Sequence, residues 1–148
     1  METSKKTHPS ALTHLLQGSW AFERKVSDPN LTLVGQAIIH PIQRNILLYE
    51  ESGLYHLHGM YHSFYQRRKI VFQGRQLLIL KMNDEVLHDF IWDKGAHLPL
   101  SLKHVHHCGQ DVYKTEIIFQ TVTCFSQAYR VRGPRKAYTI HTRYRKIT

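Results

Sequence analysis

The sequence predicts an all-β protein: an antiparallel up-and-down β-barrel of about ten strands with a short helix at its N-terminus. Short segments that alternate apolar and polar residues follow one another along most of the chain, and tight-turn residues separate them. Sequential strands with tight turns favour a meander, and a meander of this size closes most economically as a barrel because closure leaves no exposed edge. Polar groups also recur on faces that the alternation assigns to the interior, which favours a barrel with a ligand cavity.

A short helix is predicted at residues 9–17, ahead of the first strand. Leu12, Leu15 and Leu16 recur at helical spacing, and Gly18 follows them as a residue that commonly ends a helix. The other segments are predicted as strands at residues 19–26, 33–40, 46–52, 55–65, 69–73, 76–82, 85–92, 100–106, 112–124, 127–132 and 136–146. Between residues 61 and 71 both faces mix aromatic and basic side chains, so a bulge or turn near residues 66–68 fits the pattern as well as a continuous strand does.

Residues with strong turn preferences separate these strands. They are Asp28-Pro29-Asn30, Ser52-Gly53, Gly74-Arg75, Asn83-Asp84, Lys94-Gly95 and Gly133-Pro134. At the last of these turns, glycine supplies an unusual backbone angle and proline fixes the bend between the final two strands. Gly133 and Pro134 are therefore assigned a structural role.

The 148 residues predict one domain at residues 9–148, preceded by a flexible N-terminus at residues 1–8. A chain of this length can bury a core without a disulfide or a metal ion. The sequence contains two cysteines, Cys108 and Cys124, and no readable secretory signal or membrane span. It therefore predicts a cytoplasmic protein with reduced thiols and no membrane partner. Nothing in the sequence sets the oligomeric state.

Basic residues outnumber acidic residues by 20 to 11, and the stretch from Arg130 to Thr148 has no carboxylate side chain. This excess raises the question of nucleic-acid binding. The basic residues are spread along strands and accompany no recognised binding motif, which disfavours that function. Instead, a basic outer surface facing solvent is predicted at Lys103, Arg130, Arg132, Arg143 and Arg145.

Charged residues interrupt the apolar faces of two predicted strands. Arg24 shares the face of Trp20, Phe22 and Val26, and Glu51 follows the same phase as its strand's apolar residues. Ionised groups are rarely buried unless they are paired. The sequence therefore predicts that Arg24 and Glu51 form an ion pair inside the barrel.

Tyrosines share these interior phases, and aromatic walls with a few fixed polar groups are typical of a small-molecule pocket. An arginine among several phenols favours an anionic or carbonyl-bearing, partly apolar ligand. The alternative is that the tyrosines fill the barrel and satisfy the ion pair internally, which would leave no cavity. The predicted ligand-binding residues are Arg24, Tyr49, Glu51, His88, His106, Asp111, Tyr113, Tyr138 and Tyr144.

The segment from His106 to Tyr113 is predicted to form one wall or rim of this pocket. Tyr113, Ile117 and Phe119 share one phase of their strand, and Lys114 belongs to the opposite phase. The aromatic residues are buried only if their face of the strand points inward, and Lys114 then points outward. His106, Asp111 and Tyr113 should then point toward the interior.

Several motifs, taken in order, resemble a known family. Gly18-Ser19-Trp20 after a short helix resembles the Gly-x-Trp signature of the calycin superfamily, the lipocalins and their relatives. Together with the motifs that follow, it resembles the uncharacterised lipocalin-like family DUF6314 over residues 15–146. These motifs are Gly18-x-Trp20-x-Phe22-x-Arg24, Tyr49-x-Glu51-x-Gly53, Leu87-His88-Asp89-Phe90, His106-x-Cys108-x-x-Asp111-x-Tyr113, Val131-x-Gly133-Pro134-x-Lys136-x-Tyr138 and Tyr144-x-Lys146.

The resemblance implies a lipocalin-like barrel and carries no activity with it. In lipocalins a basic residue of the last strand covers the signature tryptophan at the closed end of the barrel. By this resemblance Lys146 would cover Trp20, in a cation–π contact of about 0.5 to 2 kcal/mol. Both residues are therefore assigned structural roles.

Three other functions remain compatible with the sequence. His106, Cys108 and Asp111, with His88 or His107, contain ligands suited to a transition metal. His88 or His106 could hold haem, as one histidine does in some small barrels. An enzyme could use Glu51 or Asp111 as base, His106 as its partner and Tyr113 as acid. The main hypothesis, a small-molecule-binding barrel, needs neither a metal nor a cofactor.

Overall fold

A computed structural model describes residues 9–92 and 97–147 and confirms the predicted all-β fold. In these ranges the chain forms one helix and ten strands. The helix is α1 (Pro9–Leu16), and the strands are β1 (Gly18–Ser27), β2 (Asn30–Gln43), β3 (Ile46–Leu57), β4 (Met60–Gln73), β5 (Gln76–Leu80), β6 (Val86–Ile91), β7 (Leu100–Cys108), β8 (Asp111–Thr121), β9 (Cys124–Arg132) and β10 (Ala137–Lys146).

The strands pair antiparallel in the order β6-β5-β4-β3-β2-β1-β10-β9-β8-β7. Each strand therefore lies beside its neighbour in sequence, and β1 pairs with β10 to join the two halves. The outer strands β6 and β7 face each other without a backbone ladder between them in the described residues. The result is an up-and-down barrel that is closed except at this seam.

One predicted turn is part of a strand in the structure, and one open alternative is decided. The segments predicted separately at 46–52 and 55–65 were divided at Ser52-Gly53, but β3 runs through both residues and turns at His58-Gly59. Gly53 is opposite Gly35 in β2, where the two backbones and the Phe22 and Phe64 rings leave no room for a Cβ. The glycine therefore serves close packing, not a turn. At residues 66–68 the strand β4 is continuous, with regular pairing to β3.

Other turns agree with the sequence. Those at Asp28-Pro29, Gly74-Arg75 and Gly133-Pro134 are confirmed, and the one predicted at Asn83-Asp84 lies within a residue of its position. The structure adds turns at residues 44–45, 109–110 and 122–123. The turn predicted at Lys94-Gly95 and the N-terminus predicted at residues 1–8 lie outside the described residues.

The helix covers one end of the barrel. Leu12 and Leu16 join the core there beside Trp20, which is fully buried. The Trp20 indole Nε1 donates to the Leu16 carbonyl at 2.9 Å, and the Lys146 Nζ lies 5.0 Å from the Trp20 ring centroid. Lys146 Nζ also donates to the Leu15 carbonyl at 3.0 Å. The predicted stacking of Lys146 on Trp20 is confirmed, and the same lysine anchors the end of the helix.

The opposite end of the barrel is formed by hairpins. The turns at residues 28–29, 58–59, 109–110 and 133–136 meet there, because the strand registers bring these chain reversals to the same side. The side chains at this end are mostly half-buried or exposed.

The predicted basic outer surface is also present. Its members Lys103, Arg130, Arg132, Arg143 and Arg145 are all exposed. Among the described residues, no helix has the length and apolar character that crossing a membrane requires.

Candidate functional site

The barrel contains a cavity of about 350 Å³. Its wall is mainly apolar, with isoleucine, leucine and phenylalanine side chains from most of the strands and Leu16 from the helix. The polar residues on the wall are Arg24, Tyr49, Glu51, Gln66, Arg68, His88, Gln127, Tyr129, Thr142 and Tyr144. Five of the nine predicted ligand-binding residues therefore line one space: Arg24, Tyr49, Glu51, His88 and Tyr144.

The predicted ion pair between Arg24 and Glu51 is confirmed. It is bidentate, with Arg24 Nη1 at 2.7 Å from Glu51 Oε2 and Arg24 Nη2 at 2.8 Å from Glu51 Oε1. Glu51 is 1% exposed. Thr142 Oγ1 accepts from Arg24 Nε at 2.9 Å. The side chains of β1, β3 and β10 thus meet across the barrel, as the inward phases of these strands require.

The carboxylate of Glu51 is fully occupied by hydrogen bonds. Besides the two from Arg24, it accepts one from the Tyr49 hydroxyl and one from Gln66 Nε2 at 2.8 Å. Four bonds match the acceptor capacity of a carboxylate. Burial alone would raise the pKa of Glu51, but the hydrogen bonds from Arg24, Tyr49 and Gln66 and the charge of Arg24 hold it below its ordinary value.

Two buried tyrosines complete this network. The Tyr49 and Tyr144 hydroxyls are 2.8 Å apart, and because Tyr49 gives its proton to Glu51, Tyr144 must donate to Tyr49. Burial raises the pKa of both hydroxyls, so both remain neutral phenols at physiological pH. Neither tyrosine has a hydroxyl proton left for a ligand.

Arg68 is a cavity residue that the sequence reasoning missed. Its Nη1 donates to the Arg67 carbonyl at 2.9 Å and its Nη2 to Gln66 Oε1 at 2.9 Å. Among residues 9–92 and 97–147, no carboxylate lies within ion-pairing distance of its guanidinium. Gln66 joins Arg68 to Glu51, since its amide nitrogen donates to that carboxylate.

Near Arg68, aromatic and imidazole side chains bridge the seam. The His88 ring of β6 lies 6.2 Å from His104 of β7 and 5.8 Å from Tyr129 of β9. His88 Nδ1 is 3.4 Å from Thr115 Oγ1. Burial, together with the charges of His104 and Arg68, lowers the pKa of His88 to about 4, so the imidazole is neutral at physiological pH.

The other four predicted ligand residues lie toward the hairpin end. Tyr113 has the predicted inward phase, and Lys114 is exposed as predicted. The Tyr113 ring lies 5.9 Å from His106, which is exposed, and 6.1 Å from Tyr129. His106, Asp111, Tyr113 and Tyr138 do not contribute to the cavity wall. A row of rings therefore runs from the rim at His106 to the cavity at Tyr129.

Asp111 and Tyr113 are held at the rim by Lys136. Its Nζ donates to the Tyr113 hydroxyl at 3.0 Å and lies 3.5 Å from Asp111 Oδ2. A Cβ at position 133 would overlap Asp111 Oδ1, which explains the glycine there. This cluster ties the start of β8 to the last turn. The unusual backbone angle predicted for Gly133 is wrong, because in the described residues the glycines with a positive φ are Gly18, Gly59, Gly74 and Gly109. Close packing against Asp111 accounts for the glycine instead.

The metal hypothesis gains no geometric support from the part of the chain that the structure describes. No group of three or more histidine, cysteine, aspartate or glutamate side chains is placed there to hold an ion. Cys108 is exposed and unpaired, at the end of β7.

Arg68 and its neighbours could have been found from one sequence signal. In β4, Gln66, Arg68 and Ile70 occupy alternate positions, and Ile70 is clearly a core residue. The mixed composition of both faces of this segment concealed the phase, because Tyr65 and Arg67 look equally able to face inward. The inward phase of Thr142 follows from the alternation of β10, which it shares with Tyr138, Ile140 and Tyr144. Gln127 and Tyr129 were missed because both phases of β9 contain buried or half-buried side chains.

Comparison with known proteins identifies a family and a fold. A family of unknown function, DUF6314, matches residues 16–146 of the chain. No curated protein sequence matches it.

Among solved structures, the S-type phycobiliprotein lyase CPES from Guillardia theta has a TM-score of 0.63 and 8% identity, covering 94% of this chain and 92% of the lyase. A protein of unknown function from the DUF3598 family of Nostoc punctiforme has a TM-score of 0.59 and 8% identity, over 91% of this chain and 49% of that one. A redesigned β-barrel, mFAP1, bound to DFHBI, has a TM-score of 0.52 and 13% identity, over 90% of this chain and 97% of its own. The fold is thus similar to that of barrels that include a small-molecule complex.

Proposed function

The chain belongs to DUF6314, a family without an assigned function, and on the basis of its own cavity we propose that it binds a small, partly apolar anion inside the barrel. The binding is proposed to take place in the cytoplasm, where Cys108 and Cys124 would stay reduced. The ligand would lie among Arg24, Tyr49, Glu51, His88 and Tyr144, with Arg68 as its counter-charge.

The observation that carries this proposal is the guanidinium of Arg68. The positive charge of Arg24 is cancelled by Glu51, whereas Arg68 lines the same cavity without a carboxylate partner in the described residues. A buried or half-buried charge is costly without a partner, so an anion entering the cavity would relieve this cost.

The shape and lining of the cavity support a small organic ligand. Its volume of about 350 Å³ lies near the low end of the range of about 300–1,000 Å³ for small-molecule pockets. A mainly apolar wall with a few polar groups at one side is the arrangement that such pockets show. The mFAP1 barrel, solved with DFHBI bound, shows that a barrel of this fold can accept a small molecule.

Binding has more support than acid-base catalysis by Glu51. All acceptor positions of this carboxylate are used, and its pKa is lowered, so it is a weak base. Asp111 is paired with Lys136 at the rim and does not reach the cavity wall. The polar network around Glu51 is therefore better suited to form a rigid part of the cavity wall than to transfer protons.

The first test asks whether the cavity is the binding place. The probe is anilinonaphthalenesulfonate, a small aromatic anion whose fluorescence rises in apolar surroundings. Ile140→Trp fills the cavity from its wall, and the matched control Thr139→Trp puts the same side chain on the outside of the same strand. We expect Ile140→Trp to lose the probe and Thr139→Trp to retain it. Equal binding by the two variants would place the probe on the surface and contradict the proposal.

The second test asks whether Arg68 supplies the charge. Arg68→Gln keeps length and polarity, and Arg67→Gln is the matched control because Arg67 is the next residue and is exposed. We expect Arg68→Gln to weaken binding of the anionic probe at least about tenfold. Arg67→Gln should change the affinity for this probe less than about twofold. The neutral probe N-phenylnaphthylamine should bind all three proteins alike. A loss of the neutral probe in Arg68→Gln would show a damaged cavity instead of a lost charge.

A further inference from the structure

The proposed function leaves the chemical class of the ligand open. Resting on that function, we propose that the ligand is a carboxylic acid bound as a single planar carboxylate, with Arg68 as its partner and Gln66 as the residue that positions Arg68. Phosphate esters and other doubly charged anions of the same size are excluded from the site.

The charges on the cavity wall set the charge of the ligand. Arg24 and Glu51 cancel, and the bidentate contact leaves neither one available. His88 is neutral, and the buried phenols of Tyr49 and Tyr144 are neutral. In the described residues, Arg68 therefore leaves the cavity wall with a net charge of plus one. A monoanion balances this charge, whereas a dianion would leave one buried negative charge without a partner.

The guanidinium of Arg68 has the donors that a carboxylate needs. Of its five N–H groups, one is used by the Arg67 carbonyl and one by Gln66 Oε1. Three N–H groups stay free of protein partners in the part of the chain that the structure describes. Arginine presents its donors in a planar fork, and this fork matches the two oxygens of a carboxylate.

Gln66 fixes the orientation of this fork. Its side-chain oxygen accepts from Arg68 Nη2 while its nitrogen donates to Glu51 Oε2 at 2.8 Å. The amide cannot rotate without breaking both bonds, because exchanging its oxygen and nitrogen would set donor against donor at Arg68. The buried Arg24–Glu51 pair thus holds Gln66, and Gln66 holds Arg68.

The surroundings of Arg68 suit an apolar acid. Tyr129 lines the cavity, and within the described ranges its hydroxyl is left without a protein partner. Burial raises the pKa of Tyr129, so its hydroxyl is a neutral donor for a second oxygen. The apolar remainder of the wall, including Ile79, Ile117 and Phe119, would enclose the body of the acid.

The test compares three ligands that share one naphthalene body. Naphthoate carries one charge, naphthamide has the same shape without the charge, and naphthyl phosphate is a dianion at about pH 8. Each displaces the neutral probe N-phenylnaphthylamine from the intact protein. We expect naphthoate to bind at least about tenfold more tightly than naphthamide. We expect naphthyl phosphate to bind no better than naphthamide.

Variants then test which residues cause the preference for naphthoate over naphthamide. Arg68→Gln should reduce the ratio of naphthoate to naphthamide affinity to about one, and Arg67→Gln should leave it unchanged. Gln66→Leu should reduce the ratio by several-fold, while binding of the neutral probe is retained as evidence of a folded cavity.

The outcomes separate this inference from the proposed function. If the neutral probe does not enter the barrel, the proposed function itself is wrong. If the probe enters but naphthyl phosphate matches or exceeds naphthoate, the cavity binds small molecules and the inferred carboxylate class is wrong. A naphthoate preference that survives Arg68→Gln would show that another cation supplies the charge.

Discussion

At the level of single residues, the stability of the protein depends strongly on the buried Arg24–Glu51 pair. Glu51 is 1% exposed, and removing one partner of such a pair leaves the other charge buried. We expect Glu51→Ala to lower the free energy of unfolding by about 3 to 5 kcal/mol. Chemical denaturation of the purified variant measures this loss.

The control for this prediction is the adjacent residue. Glu50 faces outward, and its contacts with Tyr65, His40 and Arg67 are at the surface. Glu50→Ala should lower the free energy of unfolding by less than about 1 kcal/mol. Similar losses in the two variants would mean that the buried network contributes little to stability.

His88 makes the stability of the protein depend on pH. Its pKa is lowered from 6.5 to about 4 by burial and by the charges of His104 and Arg68, with neutral Tyr129 and Phe90 as further neighbours. Between these two values the unfolded chain binds more protons than the folded protein, so stability falls as the pH decreases from about 6.5 toward 4. His88 accounts for no more than about 3 kcal/mol of this fall.

Unfolding measured at about pH 7.5 and about pH 4.5 checks this assignment. The difference in stability between the two pH values should be smaller in His88→Gln than in the parent protein, because glutamine does not titrate. The control His141→Gln removes an exposed histidine and should leave the difference as in the parent protein. An unchanged difference in His88→Gln would show that other groups cause the loss of stability in acid.

The sequence identifies some of these residues and conceals others. Arg24 and Glu51 could be paired because each interrupts an otherwise apolar phase, and a buried charge requires a partner. Arg68 could not be assigned in this way, since Arg67 and Arg68 are adjacent and both phases of that segment contain aromatic and polar side chains. Which arginine faces the cavity depends on the register of β4 with β3, a tertiary property.

At the level of secondary-structure elements, the β2–β3 pair depends on two opposed glycines. A Cβ at Gly53 would overlap the Val34 carbonyl oxygen and lie 2.8 Å from the Phe64 ring. We expect Gly53→Ala to destabilise the protein by about 1 to 3 kcal/mol because the strands or the ring must move apart. A thermal melt of the variant measures the effect.

Ser52→Ala is the matched control on the same strand. Ser52 faces outward and is exposed, so its loss should change stability by less than about 0.5 kcal/mol. If Gly53→Ala is as stable as Ser52→Ala, the two strands have more room than their pairing indicates.

Strands were easier to predict than the turns between them. Alternation of apolar and polar residues persists over each strand, so its existence is robust to an error of a few residues. A glycine has two uses, a turn or a close approach of backbones, and sequence alone does not distinguish them. The sequence therefore predicts a turn at Gly53, whereas the chain reverses at His58-Gly59, inside a predicted strand.

At the level of the whole molecule, charge is concentrated on the outside of β8, β9 and β10. Exposed lysines and arginines of these strands lie opposite one another, as Lys114 and Arg130 do. We expect at most weak binding of a mixed-sequence DNA duplex at about 50 mM salt, lost at about 200 mM, because released counterions would drive it. Fluorescence anisotropy of a labelled duplex measures both conditions.

The variant Arg130→Gln with Arg145→Gln should weaken any such binding, whereas Arg67→Gln on the other side of the barrel should not. Affinity that persists at the higher salt concentration, or that depends on base sequence, would contradict a purely electrostatic surface. The sequence predicts this surface, because in β9 and β10 apolar residues mark one phase clearly enough to place the basic residues of the other phase outside.

The seam between β6 and β7 gives the barrel a preferred place to open. Elsewhere each strand shares backbone hydrogen bonds with two neighbours, but along this line, in residues 9–92 and 97–147, side chains such as His88 and His104 provide the contact. Amide protons on the free edges of β6 and β7 should therefore exchange with deuterated solvent sooner than those of β1 and β10. Widening along this line would admit a ligand bulkier than the resting cavity and leave the helix-covered end intact.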